Sequence, residues 1–291
     1  MGRENDGTGI MISYILAGVA GIAATSQSTL TKIAPDCHGR QRIAFFNLIK
    51  VGCAFLLFLV LSAFNLNLHG ETALYASVYG ISNFFSTLFG FLALATGSLA
   101  LTSTIVSYSV VIPCLFGIIF LHEEISPQKI LGFLLLLITL LLLKKPSDNK
   151  KSDKSWAFFV IATFSCNAVS AIVQKLHQTA FPEQFREEFM LYAMGISASL
   201  FFAVWLISKK GEKPTLSHTK YAAPSGALMG LNGYLTLYLS SKLPASVLFP
   251  TVSVIQTLFN IIFSKVFFKE RLTRLQLVGI ILGAVSVILI R

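Results

Sequence analysis

The sequence predicts an all-α integral membrane protein of ten transmembrane helices, folded as two inverted five-helix repeats. Three observations carry this: a composition that only lipid can solvate, ten apolar runs of spanning length, and a second half that repeats the first. Of 291 residues, 54% are hydrophobic and 12% charged, whereas an ordinary soluble domain carries roughly 25% charged residues. A soluble fold of this length could not hide so much apolar surface from water.

The net charge of +10 would suit a nucleic-acid partner. Here, however, Lys and Arg lie between apolar runs and form no patch interleaved with aromatics. They are read as setting membrane orientation, and no nucleic acid is expected. Cys37, Cys53, Cys114 and Cys166 show no CxxC and no His-paired spacing, so neither a metal, another cofactor nor a disulfide is implied. The opening MGRENDGTGI sets Arg3 against Glu4 and Asp6. It lacks the positive start and small-x-small site of a cleaved leader, so the first apolar run is read as a retained helix.

A helix needs about 20 apolar residues to cross the hydrocarbon core. Lipid offers no partner to a backbone amide, and period-2 alternation is absent, so the runs are helices and not barrel strands. Helix 1 (10–31) ends in the run TSQST, with Gln27 at its centre. Helix 2 (43–64) holds Asn47 and Lys50 on one face, and Lys50 is the one charge well inside a span. At that depth its ammonium either snorkels to the headgroups or lines a cavity and attracts an anionic group. Helix 3 (73–95) has a stripe of Tyr75, Tyr79, Asn83 and Ser86. Helix 4 (98–121) contains Pro113, and helix 5 (127–144) offers only Thr139.

The polar segment 147–154 then links a first repeat (1–146) to a second (155–291). Helix 6 (156–174) carries Thr163, Asn167, Ser170 and Gln174, and helix 7 (186–207) follows. Helix 8 (220–240) carries Ser225, Asn232, Thr236 and Ser240. Helix 9 (245–267) carries Ser253, Gln256, Asn260 and Ser264, besides Pro250. Helix 10 (273–290) offers only Ser286. Steps of three and four place each stripe on one face, so helices 1, 3, 6, 8 and 9 are expected to enclose a polar cavity, whereas helices 5 and 10 can face lipid. The bland alternative is that these side chains merely bond helix to helix. Pro113 and Pro250 each free a carbonyl and permit a bend, as gating hinges or as static kinks. Gly226-x-x-x-Gly230 and Gly279-x-x-x-Gly283 permit close helix approach, within a monomer or, through helix 10, in a homodimer.

The repeat is legible directly. Sliding IIFLHEEISPQKILGF by 147 residues onto IIFSKVFFKERLTRLQLVGI pairs Glu123 with Glu270, Ser126 with Thr273 and Gly132 with Gly279. A looser match pairs Thr31-Lys32 with Gln174-Lys175. Because each half has an odd number of spans, the second half enters the membrane upside down, the arrangement many secondary transporters use for alternating access. Most Lys and Arg fall in the 32–42, 144–154, 209–220 and 265–274 connections. Only Arg3, Lys129, Lys175, Arg186, Lys242 and Arg291 fall on the other face. The positive-inside rule places the first set in the cytoplasm and both termini outside.

The stretch FFKERLTRLQLVGIILGAVSVILI, with its weaker copy FLHEEISPQKILGF, resembles the close of each half in the EamA-like members of the drug/metabolite transporter superfamily. The resemblance covers essentially the whole chain and implies a carrier for a small organic metabolite or drug-like solute in the cytoplasmic (plasma) membrane. Two features depart from that pattern. Val110 and Thr257 stand where relatives often have Pro, and well-known ten-helix relatives keep both termini in the cytoplasm. No Asp, Glu or His lies mid-span, which argues against exchange through a membrane-embedded proton carrier. The alternatives are a non-transporting scaffold or sensor, which needs no solute-sized cavity, and a membrane enzyme, for which no catalytic constellation converges. The expected partners are a small solute and membrane lipid.

Overall fold

The computed structural model describes residues 4–33, 40–62, 69–96, 106, 108–124, 126–142, 154–208, 216–268 and 274–290. Among them are ten α-helices and no strands: α1 (Glu4–Ile33), α2 (Arg40–Leu61), α3 (Gly70–Thr96), α4 (Val111–Phe120), α5 (Pro127–Leu142), α6 (Lys154–Ala180), α7 (Arg186–Ile207), α8 (Leu216–Ser240), α9 (Ala245–Phe268) and α10 (Arg274–Ile290). Five of these, α1, α2, α3, α6 and α7, contain described stretches of 21 to 26 residues apolar enough to cross a membrane, and shorter apolar stretches lie in α4, α5 and α9. The inter-repeat linker 147–154 lies outside the described residues, apart from the backbone of Lys154.

The helix pairings obey the inverted repeat. Exchanging halves maps α1 onto α6 and α3 onto α8, and both α3–α6 and α1–α8 are extensive contacts. By the same exchange α2–α8 maps onto α3–α7, while α2–α7, α5–α10 and α4–α9 map onto themselves; all are present. An apolar cluster of Phe58, Phe84, Phe189, Met190 and Phe201 binds α2, α3 and α7. Small residues set the closest seams. A Cβ at Gly226 would overlap the Lys50 carbonyl and reach Cys53, and one at Gly230 would come within 2.8 Å of Leu57. This pair therefore seats α8 against α2 within the monomer, where dispersion contacts replace the hydrophobic drive that lipid removes.

Helices α5 and α10 pair with each other at the side of the bundle. Ile130, Leu134 and Ile138 of α5 and Leu275, Val278 and Ile281 of α10 are exposed, which suits a lipid-facing surface. Thr139 and Ser286, however, are buried between the helices. A Cβ at Gly283 would lie 3.0 Å from the Thr139 methyl, so the second glycine of this pair also serves internal packing. Ser126 caps α5 by accepting from the Lys129 amide at 3.2 Å, with Pro127 at the first helical position, where no amide partner is needed. Of the expected helix 4, the described part is helical: residue 106, a 3₁₀ turn at Tyr108–Val110, and α4 from Val111. Residues 97–105 lie outside the described residues.

Candidate functional site

The polar stripes meet at the centre. A cavity of about 320 Å³ is lined by Ala24, Gln27 and Ser28 of α1, Tyr79, Asn83, Ser86 and Thr87 of α3, and Asn167 of α6. Met194 of α7, Met229, Asn232 and Gly233 of α8, and Gln256 of α9 complete it. Each wall is fixed by a contact just outside it. At the α1–α9 seam, a Cβ on Gly21 would meet Ile255 at 2.7 Å, and the Thr25 hydroxyl donates to the Gln256 carbonyl at 2.9 Å. At the α3–α6 seam Ser86 donates to Asn167 Oδ1, and Asn83 Nδ2 donates to Ser197 Oγ of α7 at 3.3 Å. Across α6–α8, the buried Gln174 donates to the Gly233 carbonyl at 3.1 Å.

Seven of the residues singled out from sequence thus come together: Gln27, Tyr79, Asn83, Ser86, Asn167, Asn232 and Gln256. Gln174 stands behind the wall and positions it. Asn47 is fully buried and bonds back to the Ile43 carbonyl at 2.9 Å. Lys50 is 6% exposed, where α2 presses on α8, and has no hydrogen-bond or ion-pair partner among the described residues. Neither Asn47 nor Lys50 is a lining residue. The side chain of Asn260 lies outside the described residues. Pro113 is buried in the first turn of α4, and Pro250 in the first turns of α9. Ser28 and Thr87 line the cavity although the sequence did not single them out. Each adjoins a predicted lining position, which was the available signal.

Beyond Gln174, toward the turns that end α6 and α8, lies a layer of polar and aromatic contacts. Thr72 bonds His177 at 3.3 Å, and His177 stacks on Phe189 with ring centroids 4.4 Å apart. His69 stacks on Phe185 at 4.5 Å. Arg186 donates to Gln178 Oε1 at 3.1 Å and to Ser241 Oγ at 3.0 Å, with its guanidinium over the Tyr238 ring. At the rim Lys242 donates to Glu183 and holds that carboxyl below its ordinary range. This pair is exposed, so its contribution to stability is small.

Glu123 ties four elements together at this end. Its carboxylate accepts from the Ala245 amide at 2.6 Å and the Ser246 amide at 2.9 Å, capping α9. Lys175 lies 3.8 Å away and donates to the Ser240 and Leu243 carbonyls at 3.0 and 2.7 Å, closing the end of α8. Gly117 makes room, since a Cβ there would come within 2.8 Å of the Glu123 carboxylate. Sequence comparison picked out both Glu123 and Lys175 only as repeat markers. Their partnership joins residues 52 apart, and nothing in local spacing announces it.

The comparisons agree with this architecture. The sequence model of the EamA-like transporter family matches residues 11–144 and 154–291, and the chain belongs to that family. It is therefore a multi-pass membrane protein of a transporter family. A solved structure described only as "Crystal structure of protein" is similar in fold, with a TM-score of 0.77 over 96% of each chain at 12% identity. Comparison with curated proteins finds no match.

Removing the Glu123 charge should loosen this end of the bundle. Glu123→Gln keeps the volume but leaves Lys175 without its counter-charge and weakens the cap of α9, at a cost of about 1–3 kcal/mol. Thermal unfolding in detergent should show a clear drop in melting temperature for Glu123→Gln and none for the exposed neighbour Glu124→Gln. Equal melting temperatures would mean that the cap contributes nothing.

Proposed function

We propose that the protein is a secondary-type carrier that binds a small organic solute in the central cavity and moves it across the cytoplasmic membrane by alternating access. The observation that carries this reading is the cavity itself: among the described residues five carboxamides, one from each of five helices, face one solute-sized space. A scaffold or sensor has no use for such a space, and burying carboxamides without partners costs roughly 1–3 kcal/mol each. The layer of Thr72, His177, Gln178, Arg186 and Ser241 forms the closed gate of one face, and the inverted repeat supplies the equivalent movement on the other. The charge distribution puts that closed gate outside, with both termini outside and the 147–154 linker in the cytoplasm.

Three measurements test these parts. Asn83→Leu, Asn232→Leu or Gln256→Leu should each cut solute uptake into proteoliposomes by about 5- to 150-fold. The amount of folded protein should hardly change, and Ser199→Ala on the exposed flank of α7 should transport normally. Wild-type uptake in all three Leu variants would remove the cavity from the transport path.

The gate is tested by joining it. Cysteines replacing Thr72 and His177 in a Cys-free background should stop uptake when oxidised and restore it when reduced. Undiminished uptake by the cross-linked protein would show that this face does not need to open.

Orientation is read by single-Cys labelling at Thr8 and Ser147. In intact cells an impermeant maleimide should reach Thr8→Cys and spare Ser147→Cys, and the reverse pattern would invert the topology.

A further inference from the structure

The chemistry of the cavity wall narrows the solute, given that the cavity is the transport site. Among the described lining residues none is an acid, a base or a histidine. A charged solute entering it would lose its hydration without gaining a counter-ion, and removal of an ion from water still costs several kcal/mol after the protein relaxes. A zwitterion would incur that cost at both ends. The wall thus selects against net charge and against separated charges.

What it offers instead is paired donor and acceptor capacity. Each carboxamide has one acceptor oxygen and a two-proton donor nitrogen. The side chains of Gln27 and Gln256 have no hydrogen-bond partner among the described residues. Asn83 uses its nitrogen on Ser197 and keeps its oxygen, whereas Asn167 uses its oxygen on Ser86 and keeps its nitrogen. Both kinds of group are therefore left facing the space. Carboxamides in this state match molecules whose edges alternate donors and acceptors, as Asn and Gln do when they pair with the edge of adenine.

The remaining wall is soft and apolar. Met194 and Met229 approach from α7 and α8, and thioethers make favourable contacts with aromatic rings. The Tyr79 ring is held edge-on to Phe189 at 5.4 Å, which fixes a flat aromatic surface beside them. A volume of about 320 Å³ lies at the lower limit of small-molecule sites, about 300–1,000 Å³. That suits one heterocycle with a small polar substituent and excludes a bulky amphiphile.

We propose that the cavity binds an uncharged, ring-bearing solute of the nucleoside class, its heterocycle against Met194, Met229 and Tyr79 and its polar edge against the carboxamides.

The test uses the full-length protein in detergent and in proteoliposomes. Radiolabelled uridine and adenosine serve as probes, against uridine monophosphate, leucine and sorbitol. Scintillation-proximity binding should detect uridine or adenosine, with the monophosphate, the zwitterion and the polyol each at least tenfold weaker. Gln256→Leu and the milder Asn232→Ser, both checked as folded by gel filtration, should weaken nucleoside binding about 5- to 150-fold. Stronger binding of the monophosphate or of leucine would overturn the exclusion of charge. Binding of sorbitol alone would overturn the ring, and binding of none of the probes would overturn the proposal as a whole. Liposome uptake separates this from the carrier reading. Nucleoside binding without uptake would refute transport and leave the site standing, whereas uptake confined to leucine or the monophosphate would refute the site and leave transport standing.

Discussion

A buried helix end leaves amides and carbonyls that no water can satisfy, and in this protein one ion pair resolves that difficulty for both the end of α8 and the start of α9. Glu123 returns from the end of α4 to the first amides of α9, and its charge keeps Lys175 in place to take up the last carbonyls of α8. The α8–α9 turn can therefore be only a few residues long, which brings Asn232 and Gln256 into the same cavity wall. Removing either charge would leave the other buried among backbone groups. The turn and the carboxamides it places thus depend on that pair.

The same rule sorts the polar residues within the spans. A hydroxyl can donate to the carbonyl four residues earlier in its own helix, and here most do: Ser28 to Ala24, Thr163 to Phe159, Thr236 to Asn232 and Ser240 to Thr236. Satisfied in that way, a Ser or Thr makes little demand on its surroundings and packs almost as an apolar residue. A carboxamide has too many donors and acceptors for its own helix to absorb. Asn and Gln therefore tend to find another helix or a hydrated space, Asn47, bonded to the Ile43 carbonyl of its own helix, being an exception. Gln174 finds the Gly233 carbonyl, while the cavity collects Gln27, Asn83, Asn167, Asn232 and Gln256.

That distinction also explains what could be read from the sequence. Ten apolar runs, the repeat and the choice of cavity helices follow from composition and from steps of three and four, because lipid punishes exceptions. Within the stripes, Asn83, Asn167, Asn232 and Gln256 line the cavity, whereas Thr139 and Ser286 do not. These two hydroxyls are buried, although α5 and α10 also expose apolar faces. One hydroxyl per helix does not distinguish a lipid face from a tight seam, since only the position of Gly283 on the partner helix decides. Gln174 belongs to a cavity stripe and yet is spent on a backbone carbonyl, because the depth at which α6 and α8 converge is a tertiary property. The Glu123–Lys175 pair was illegible for the same reason.

The two kinds of interface bear on the proposed alternating access. The α2–α8 seam closes backbone to backbone through Gly226 and Gly230, and the cluster of Phe58, Phe189, Met190 and Phe201 fills its flank. Parting such surfaces would open a void for which neither lipid nor water is a good substitute. The layer above the cavity is built otherwise. The contacts of Thr72, His177, Gln178, Arg186 and Ser241 are mostly single hydrogen bonds and ring stacks, and water can replace each bond at a net cost of about 1 kcal/mol. A face meant to stay shut would be filled with interlocked aliphatic side chains. A layer held largely by hydrogen bonds that water can replace is suited to the proposed gate, and it stands between the carboxamides and the turns that end α6 and α8.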